Sequence, residues 1–415
     1  MVFAALRWLV LPLAGAAAFW VALAEYQTLR SLDWERPAES LAQLEARQPW
    51  GGLSGRALAA AIDESLGLDP DAAERVLAWQ LRRYPLDPSR WFSRALNAHF
   101  AGECPTRVLE HLQAALAVHP AQRELHWQTA ALALDLGRYD LAERHLRHWL
   151  EGHHPSATAE ALSLAYLWIP DAADLIERIL PPGEDFLLAA LAFARRVVWL
   201  DMAAEAWFRL PQPRPPDDPA LLDFVDLALE EGELDLAMEA WEASFRDYRR
   251  GAVPNGDFQH AFGPARGLNW RTSLPAGARV SRDTAQFITA PASLRIDFDG
   301  QENLRISGLS LRIPAPAGPR RWVLSGQWRA GGLTTTSLPY LWLQAGPGVG
   351  VRVDVPATSF DWTPFVLEVE TSGESALLEL HLRRDPTRLD FDRFLAGRLW
   401  LDALRLEPVA AADAD

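Results

Sequence analysis

The period of the hydrophobic pattern changes once along the chain, close to Gly251, and this change limits the folds open to it. Before this point, segments such as Ala73–Pro85 and Glu233–Tyr248 place apolar residues three and four positions apart. This spacing predicts amphipathic helices. After this point, short runs alternate apolar and polar residues, which predicts strands with one buried face. The sequence therefore predicts an all-α region over residues 31–250, followed by an all-β region over residues 251–410.

The helical region repeats itself. A fixed period of this length predicts stacked helix pairs, because one pair cannot bury its own apolar face. Two sets of residues recur at an interval of 35 positions, namely Gly67, Gly102 and Gly137, and Pro85, Pro120 and Pro155.

Two stretches, Pro85–Pro155 and Gly232–Gly251, resemble the tetratricopeptide repeat. Gly137 stands at the position of the turn between its two helices, Ala142 at the small position of the second helix, and Pro155 at its end. The resemblance implies a curved solenoid that binds a protein partner. The alternative is a helical spacer with no partner.

The second region reads as eight or more short strands separated by Gly, Pro, Ser and Asp. This pattern predicts a β-sandwich or jelly roll in which two sheets share a core. The predicted strands are Ser293–Asp299, Leu309–Ile313, Trp322–Trp328, Tyr340–Gln344, Val351–Val355, Phe365–Glu370, Ala376–Arg383 and Arg398–Leu406.

Several pieces of this region resemble the galactose-binding-like jelly roll of bacterial carbohydrate-binding modules. These are "NGDF" at Asn255–Phe258, "GLNW" at Gly267–Trp270, "FDWTPF" at Phe360–Phe365 and "GRLWLDALRLEP" at Gly397–Pro408. The resemblance implies that the first and last strands lie side by side, often around a structural calcium ion. Asp402 then matches the first of two adjacent aspartates that the family carries, whereas Ala403 replaces the second and Gln259 replaces an acidic residue. Calcium needs several oxygen ligands, so these two departures argue against a calcium site. Asp402 is the one ligand predicted for it, and no other cofactor is expected.

Aromatic residues of the second region predict a sugar site. A sugar-binding site combines an indole or phenol ring with polar groups for the hydroxyls. In Tyr340–Gln344, alternation places Tyr340, Trp342 and Gln344 opposite two leucines that suit the core, so these three residues are expected to face outward. Trp328, at a strand end, is expected to join them at the rim, whereas Trp362 is expected to pack inside the sandwich. The alternative for Tyr340 and Trp342 is burial against the helical region.

The segment Trp8–Ala24 carries no charge and follows Arg7, which predicts a membrane-spanning helix within residues 1–30. The protein would then be a single-pass protein of the bacterial inner membrane with its bulk in the periplasm. The alternative is a signal peptide cleaved after Ala22–Ala24, which would leave a periplasmic or secreted protein. Residues 411–415 are expected to form a disordered tail.

Charge and cysteine content exclude several classes of function. The net charge of -15 argues against a nucleic-acid binder, and the single Cys104 excludes an internal disulfide and a thiolate metal cluster. No catalytic set is suggested by the local sequence. We therefore expect a non-enzymatic, membrane-tethered adaptor for a protein partner and a glycan, with a role in envelope or exopolysaccharide assembly. The alternatives are a purely structural scaffold and, as a second choice, a glycan-active enzyme.

Overall fold

The computed structural model describes residues 69–152, 154–245, 248–318, 320–346 and 348–409. Its contacts divide the described residues into two compact units, of which the first comprises those within 69–170 and 177–181 and the second those within 171–176 and 182–409. The described part is helical up to Ser244 and composed of strands from Arg271 onward. The change of structure therefore follows the change of hydrophobic period.

The helices are short, and each has a proline at its first position or an acidic residue in its first turn, both of which are favourable there. Within the described residues they are α1 (Pro70–Arg83), α2 (Pro88–Phe100), α3 (Pro105–Val118), α4 (Arg123–Asp135), α5 (Tyr139–Glu151), α6 (Thr158–Ala165), α7 (Ala172–Ile179), α8 (Glu184–Val197), α9 (Leu200–Arg209), α10 (Pro219–Glu230) and α11 (Leu234–Ser244).

The 35-residue period has a structural cause in the first unit. Helices α2 and α3 pack together as one hairpin, and α4 and α5 form the next. Gly102 and Gly137 follow the first helix of each hairpin with φ values of 72° and 68°, a conformation that costs glycine least. Ala142 is fully buried, as its predicted small role requires. The region is thus made of repeated helical hairpins, although its membership of the tetratricopeptide family stays a prediction.

Ten strands form the sandwich of the second unit. They are β1 (Arg271–Thr272), β2 (Ala278–Asp283), β3 (Ser293–Asp299), β4 (Ile306–Ala315), β5 (Arg321–Gly331), β6 (Tyr340–Gly346), β7 (Val349–Asp354), β8 (Phe360–Glu370), β9 (Ala376–Arg384) and β10 (Ala396–Pro408).

These strands form two five-stranded antiparallel sheets. We call the sheet with the order β1-β4-β9-β6-β7 sheet 1, and the sheet with the order β2-β3-β10-β5-β8 sheet 2. The inward-facing side chains of the two sheets form one core, to which Ile296, Leu311, Leu324, Leu343 and Leu380 belong. The order of strands confirms a β-sandwich, with eight strands near their predicted positions.

Three expectations are not settled by the fold. No helix among the described residues is both long and apolar enough to cross a bilayer. The predicted anchor at Trp8–Ala24 and the predicted tail at 411–415 lie outside the described residues. The predicted domain boundaries at 30, 250 and 410 stay predictions.

Candidate functional site

The outward side of sheet 1 carries the aromatic residues that the sequence singles out. Leu341 and Leu343 of β6 are buried in the core, at 1% and 0% exposure, so the alternate residues of this strand face away from the core. The strand register extends this surface across the sheet. We call it the outer face of sheet 1; its residues are Arg271, Ser310, Arg312, Tyr340, Trp342, Gln344, Gly350, Arg352, Asp354, Glu379, His381 and Arg383.

The Trp342 indole lies over Gly350 of the neighbouring strand β7. A Cβ atom at position 350 would lie 2.6 Å from Trp342 Cζ2 and 2.7 Å from Cε2, so the indole occupies the space that glycine leaves free at Gly350. The Trp342 side chain is partly exposed, and the Arg383 guanidinium carbon lies 5.8 Å from the centroid of its ring. The predicted outward orientation of Trp342 is therefore confirmed.

Tyr340 faces the predicted side but is not an open ring. Only 9% of the residue is exposed, because the guanidinium carbon of Arg352 lies 3.6 Å from its ring centroid. The phenol donates a hydrogen bond to Asp385 Oδ2 at 3.2 Å, and burial, followed by the charge of Asp385, raises the pKa of Tyr340. The expectation that Tyr340 offers a stacking surface is therefore wrong, since an arginine from the paired strand covers it.

Trp328 does not reach the rim of the sandwich. It is 2% exposed and packs in the core, with its ring centroid 5.1 Å from that of Phe365 and 6.1 Å from that of Phe360. The alternation of β5, which buries Trp322 and Leu324, continues through position 328 to Ala330. The prediction that Trp328 contacts a ligand is wrong for this reason.

Polar groups surround Trp342 on the same face. His381 and Gln344 flank it on β9 and β6, and both are partly buried. His381 Nε2 lies 3.2 Å from Glu379 Oε2, yet neither ring nitrogen of His381 has a well-aligned hydrogen bond within the described residues. The contact with His381, followed by the charge of Arg312, lowers the pKa of Glu379. This carboxylate therefore stays ionised next to the indole.

The outer face of sheet 1 carries an excess of positive charge, although the whole chain has a net charge of -15. Its residues include four arginines and two carboxylates, Asp354 and Glu379, and Asp385 adds a third carboxylate beside Tyr340. Arg352 pairs with Asp354, and Arg312 lies 3.5 Å from Glu379. Arg383 makes no ion pair within the described residues, so its guanidinium is free to bind an anionic group.

Asp402 does not resemble a calcium ligand. It is fully buried, and its Oδ2 accepts hydrogen bonds from the backbone N–H groups of Ile288 at 2.6 Å and Thr289 at 2.9 Å. Its Oδ1 accepts the N–H of Ala403 at 2.6 Å. Among the described residues, no three His, Cys, Asp or Glu side chains are arranged to hold a metal. Since both oxygens already serve the backbone, the residues present do not fit the expected calcium site.

Two residues of the site, Arg383 and Gly350, were not predicted from the sequence. Alternation within Ala376–Arg384 could have placed Glu379, His381 and Arg383 on one face. The pairing of β9 with β6, which brings Arg383 to Trp342, joins distant parts of the chain and leaves no local signal.

The chain was compared with known families, proteins and structures. No protein-family model matches the chain, and no curated protein matches it. Solved structures that are similar to its C-terminal part are carbohydrate-binding modules. One is a family 61 module in complex with β-1,4-galactotriose, with 11% identity and a TM-score of 0.26, covering 39% of this chain and 100% of that chain.

Two further structures have similar values. The CBM22-1 xylan-binding domain from Paenibacillus barcinonensis Xyn10C is 16% identical, with a TM-score of 0.24, and covers 40% of this chain and 99% of that chain. A carbohydrate-binding module from Cellvibrio mixtus lichenase 5A, in complex with cellotriose, is 11% identical, with a TM-score of 0.22, covering 34% of this chain and 92% of that chain. These values are too low to support a functional assignment, so the fold assignment rests on the strand order.

Proposed function

We propose that the β-sandwich binds a glycan on the outer face of sheet 1. The observation that carries the proposal is the Trp342 indole, which lies over Gly350 and is partly open to solvent. A flat, fixed indole offers a large apolar surface at little conformational cost. The C–H face of a pyranose ring packs on such a surface, while Gln344 and His381 are placed to hydrogen-bond its hydroxyl groups.

The charges of this face favour an acidic glycan. Arg383 borders the indole and has no ion pair within the described part of the chain. A planar guanidinium binds a carboxylate through two parallel hydrogen bonds. A sugar stacked on Trp342 would bring a uronate carboxylate within reach of Arg383, so we propose polyuronates as the class of ligand.

The test compares polygalacturonate with neutral galactan in isothermal titration calorimetry with the full chain. We expect polygalacturonate to bind more tightly, and Trp342→Ala to weaken it by about tenfold or more, which is a typical loss for a stacking aromatic residue. Phe391→Ala is the matched control, because this aromatic residue is 84% exposed and lies outside the face. Equal affinity of the folded Trp342→Ala variant, or no binding of either polymer to the wild type, would contradict the proposal.

The remaining parts of the expected role are proposals as well. We propose that the protein is a non-catalytic adaptor whose helical hairpins bind a protein partner. The hairpins of the first unit support this by exposing large apolar side chains, including Leu86, Phe100, Tyr139 and Leu167. Pull-down with the full chain and with a Leu86→Ser, Phe100→Ser variant tests this part. Equal recovery of the same partner by both proteins would count against it.

A further inference from the structure

The loop between β9 and β10, residues 385–395, exposes three large apolar side chains. Leu389 is 51% exposed, Phe391 is 84% exposed and Phe394 is 50% exposed. We call these three side chains the apolar tip. A phenylalanine that is 84% exposed has few neighbours, so Phe391 stands out from the surface of the sandwich. Apolar side chains exposed together in this way mark a contact with a protein or a membrane.

One side of this loop is fixed by hydrogen bonds to the connection between β5 and β6. The buried carboxylate of Asp392 accepts the Thr336 N–H at 2.5 Å, the Thr336 hydroxyl at 2.9 Å and the Ser337 N–H at 3.1 Å. The Thr334 hydroxyl donates to the Phe394 carbonyl oxygen at 2.7 Å. These bonds hold the backbone on which the apolar tip stands.

The other side of the loop is fixed by the end of β9 and by the connection between β3 and β4. The fully buried Arg384 donates to the carbonyl oxygens of Leu304 at 2.6 Å and Arg393 at 3.3 Å. The Asn303 side chain donates to the Thr387 carbonyl oxygen at 2.8 Å and accepts the Thr387 N–H at 3.1 Å. The loop is therefore preformed, and the apolar tip loses little backbone freedom when a partner covers it.

The size of the apolar tip favours a lipid bilayer over a protein as its partner. An aromatic side chain buries about 150–250 Å², so three side chains that are half to mostly exposed offer on the order of 300–400 Å². A stable protein interface takes about 800 Å² from each partner. A bilayer needs no such matching surface, because lipid molecules close around a protruding side chain.

The charges around the apolar tip indicate binding through apolar contacts. The exposed charged residues of the loop are Asp385, Arg388, Asp390 and Arg393, so positive and negative charges balance. Arg393 also pairs with Asp390. Because the whole chain has a net charge of -15, anionic headgroups offer it no general attraction. We therefore expect the contact to need no anionic lipid and to persist when salt is added.

We infer that the apolar tip inserts into the interface of a lipid bilayer. Phe391 enters the boundary between headgroups and acyl chains, with Leu389 and Phe394 beside it. The charged side chains of the loop stay among the headgroups. This surface does not rest on the proposed function, because it lies on the β9–β10 loop and not on the outer face of sheet 1.

The test measures insertion at single positions of the full chain, so that a membrane contact elsewhere in the chain does not affect the result. Cys104→Ser removes the single thiol, and Leu389→Cys then carries an environment-sensitive fluorophore in the apolar tip. Glu374→Cys is the matched control, because position 374 is exposed beyond the opposite end of β9. The nine residues of β9 separate the two labels by about 30 Å.

On addition of phosphatidylcholine vesicles, we expect the label at position 389 to shift its emission to the blue. Lipids with a nitroxide on the acyl chain should quench this label and leave the label at position 374 unchanged. Phe391→Ala should lower the equilibrium constant for insertion by about tenfold or more, the loss expected for one phenylalanine ring. It should leave the melting temperature and the binding of polygalacturonate unchanged, because the ring is exposed and lies outside the outer face of sheet 1.

Three results would overturn the inference. The first is that vesicles leave the emission of the label at position 389 unchanged. The second is that both labels respond equally, which would mean that the apolar tip has no special part in the contact. The third is a dimer in sedimentation without lipid that Phe391→Ala converts to a monomer, which would assign the apolar tip to self-association. Loss of polygalacturonate binding in Trp342→Ala has no bearing on this inference, so the two proposals can fail separately.

Discussion

At the scale of single residues, Gly350 decides whether the Trp342 ring can lie over strand β7. Because a Cβ atom at position 350 would lie 2.6 Å from Cζ2 of the indole and 2.8 Å from the Leu343 carbonyl oxygen, alanine cannot be accommodated without displacing the ring. We expect Gly350→Ala to cost about 1–3 kcal/mol of stability, which is typical of overpacking. It should also reduce glycan binding about as strongly as Trp342→Ala.

The matched control for this substitution is Gly331→Ala. A Cβ atom at position 331 meets only the Trp400 ring, at an ordinary contact distance of 3.5 Å. Urea denaturation and calorimetry with polygalacturonate measure the two effects. If Gly350→Ala binds like the wild type, the position of the Trp342 ring over Gly350 is not needed for recognition.

The residues of the site differ in how far the sequence predicts them. The two polar residues opposite Trp328, Ser325 and Gln327, indicate that the tryptophan side of β5 faces the core, so its burial was predictable. The covering of Tyr340 by Arg352 follows from the pairing of β6 with β7, two strands joined by a short turn. The contact of Arg383 with Trp342 depends on the distant strand β9 and was not predictable.

At the scale of elements, alternation predicts the long strands but not the short ones. Strands β3, β5 and β9 bury every second residue over most of their length, which gives a clear period of two. Strand β1 has only two residues, and β2, at the edge of sheet 2, has a mostly intermediate burial pattern. Neither strand has enough one-sided burial to produce a signal.

Helices α4 and α5 place three histidines in one cluster, which makes the stability of this pair dependent on pH. His126 Nδ1 lies 2.8 Å from His145 Nδ1, and His126 Nε2 lies 2.8 Å from the Pro120 carbonyl oxygen. The ring of His148 meets His126 edge-on at 4.3 Å. Since the carbonyl can only accept, Nε2 of His126 carries a proton, and in the neutral pair His145 donates to His126.

Burial, followed by the neighbouring His126 and Arg144, lowers the pKa of His145 from 6.5 to about 4. Between these values the unfolded chain takes up a proton that the folded chain does not. Stability is therefore complete above about pH 6.5 and falls as the pH drops towards 4. We expect a loss of about 1–2 kcal/mol by pH 4.5, which is less than the full shift because the ring is partly solvated.

Urea denaturation of the full chain at pH 7 and at pH 4.5 measures this loss. His145→Gln should flatten the pH dependence relative to the wild type, whereas His119→Gln, at an exposed position, should retain it. The same slope in wild type and His145→Gln would show that the cluster does not control acid stability.

At the scale of the whole molecule, helices and strands share one compact unit. Helices α8 to α11 belong to the same unit as the sandwich. The link runs through Asp226 of α10, which accepts hydrogen bonds from Arg266 Nε at 2.8 Å and from the Gly267 N–H at 2.8 Å. Trp241 of α11 fills the space beside Gly267, where a Cβ atom would lie 2.8 Å from Cζ3. The period of a sequence reports local structure and cannot reveal such long-range contacts.

These contacts predict that helices α10 and α11 unfold together with the sandwich. Asp226 is only 8% exposed, and Asp226→Ala would leave the buried Gly267 N–H without its acceptor. We expect a loss of about 2–4 kcal/mol, from the unpaired donor and the weakened ion pair. If the helices and the sandwich then separate, differential scanning calorimetry should resolve an additional transition.

Glu205→Gln is the control, since it removes a surface ion pair with Arg209 of α9. It should change the free energy of unfolding by less than about 1 kcal/mol and add no transition. The same number of transitions in Asp226→Ala as in the wild type would mean that the apolar contacts around Trp241 couple the two parts without this carboxylate.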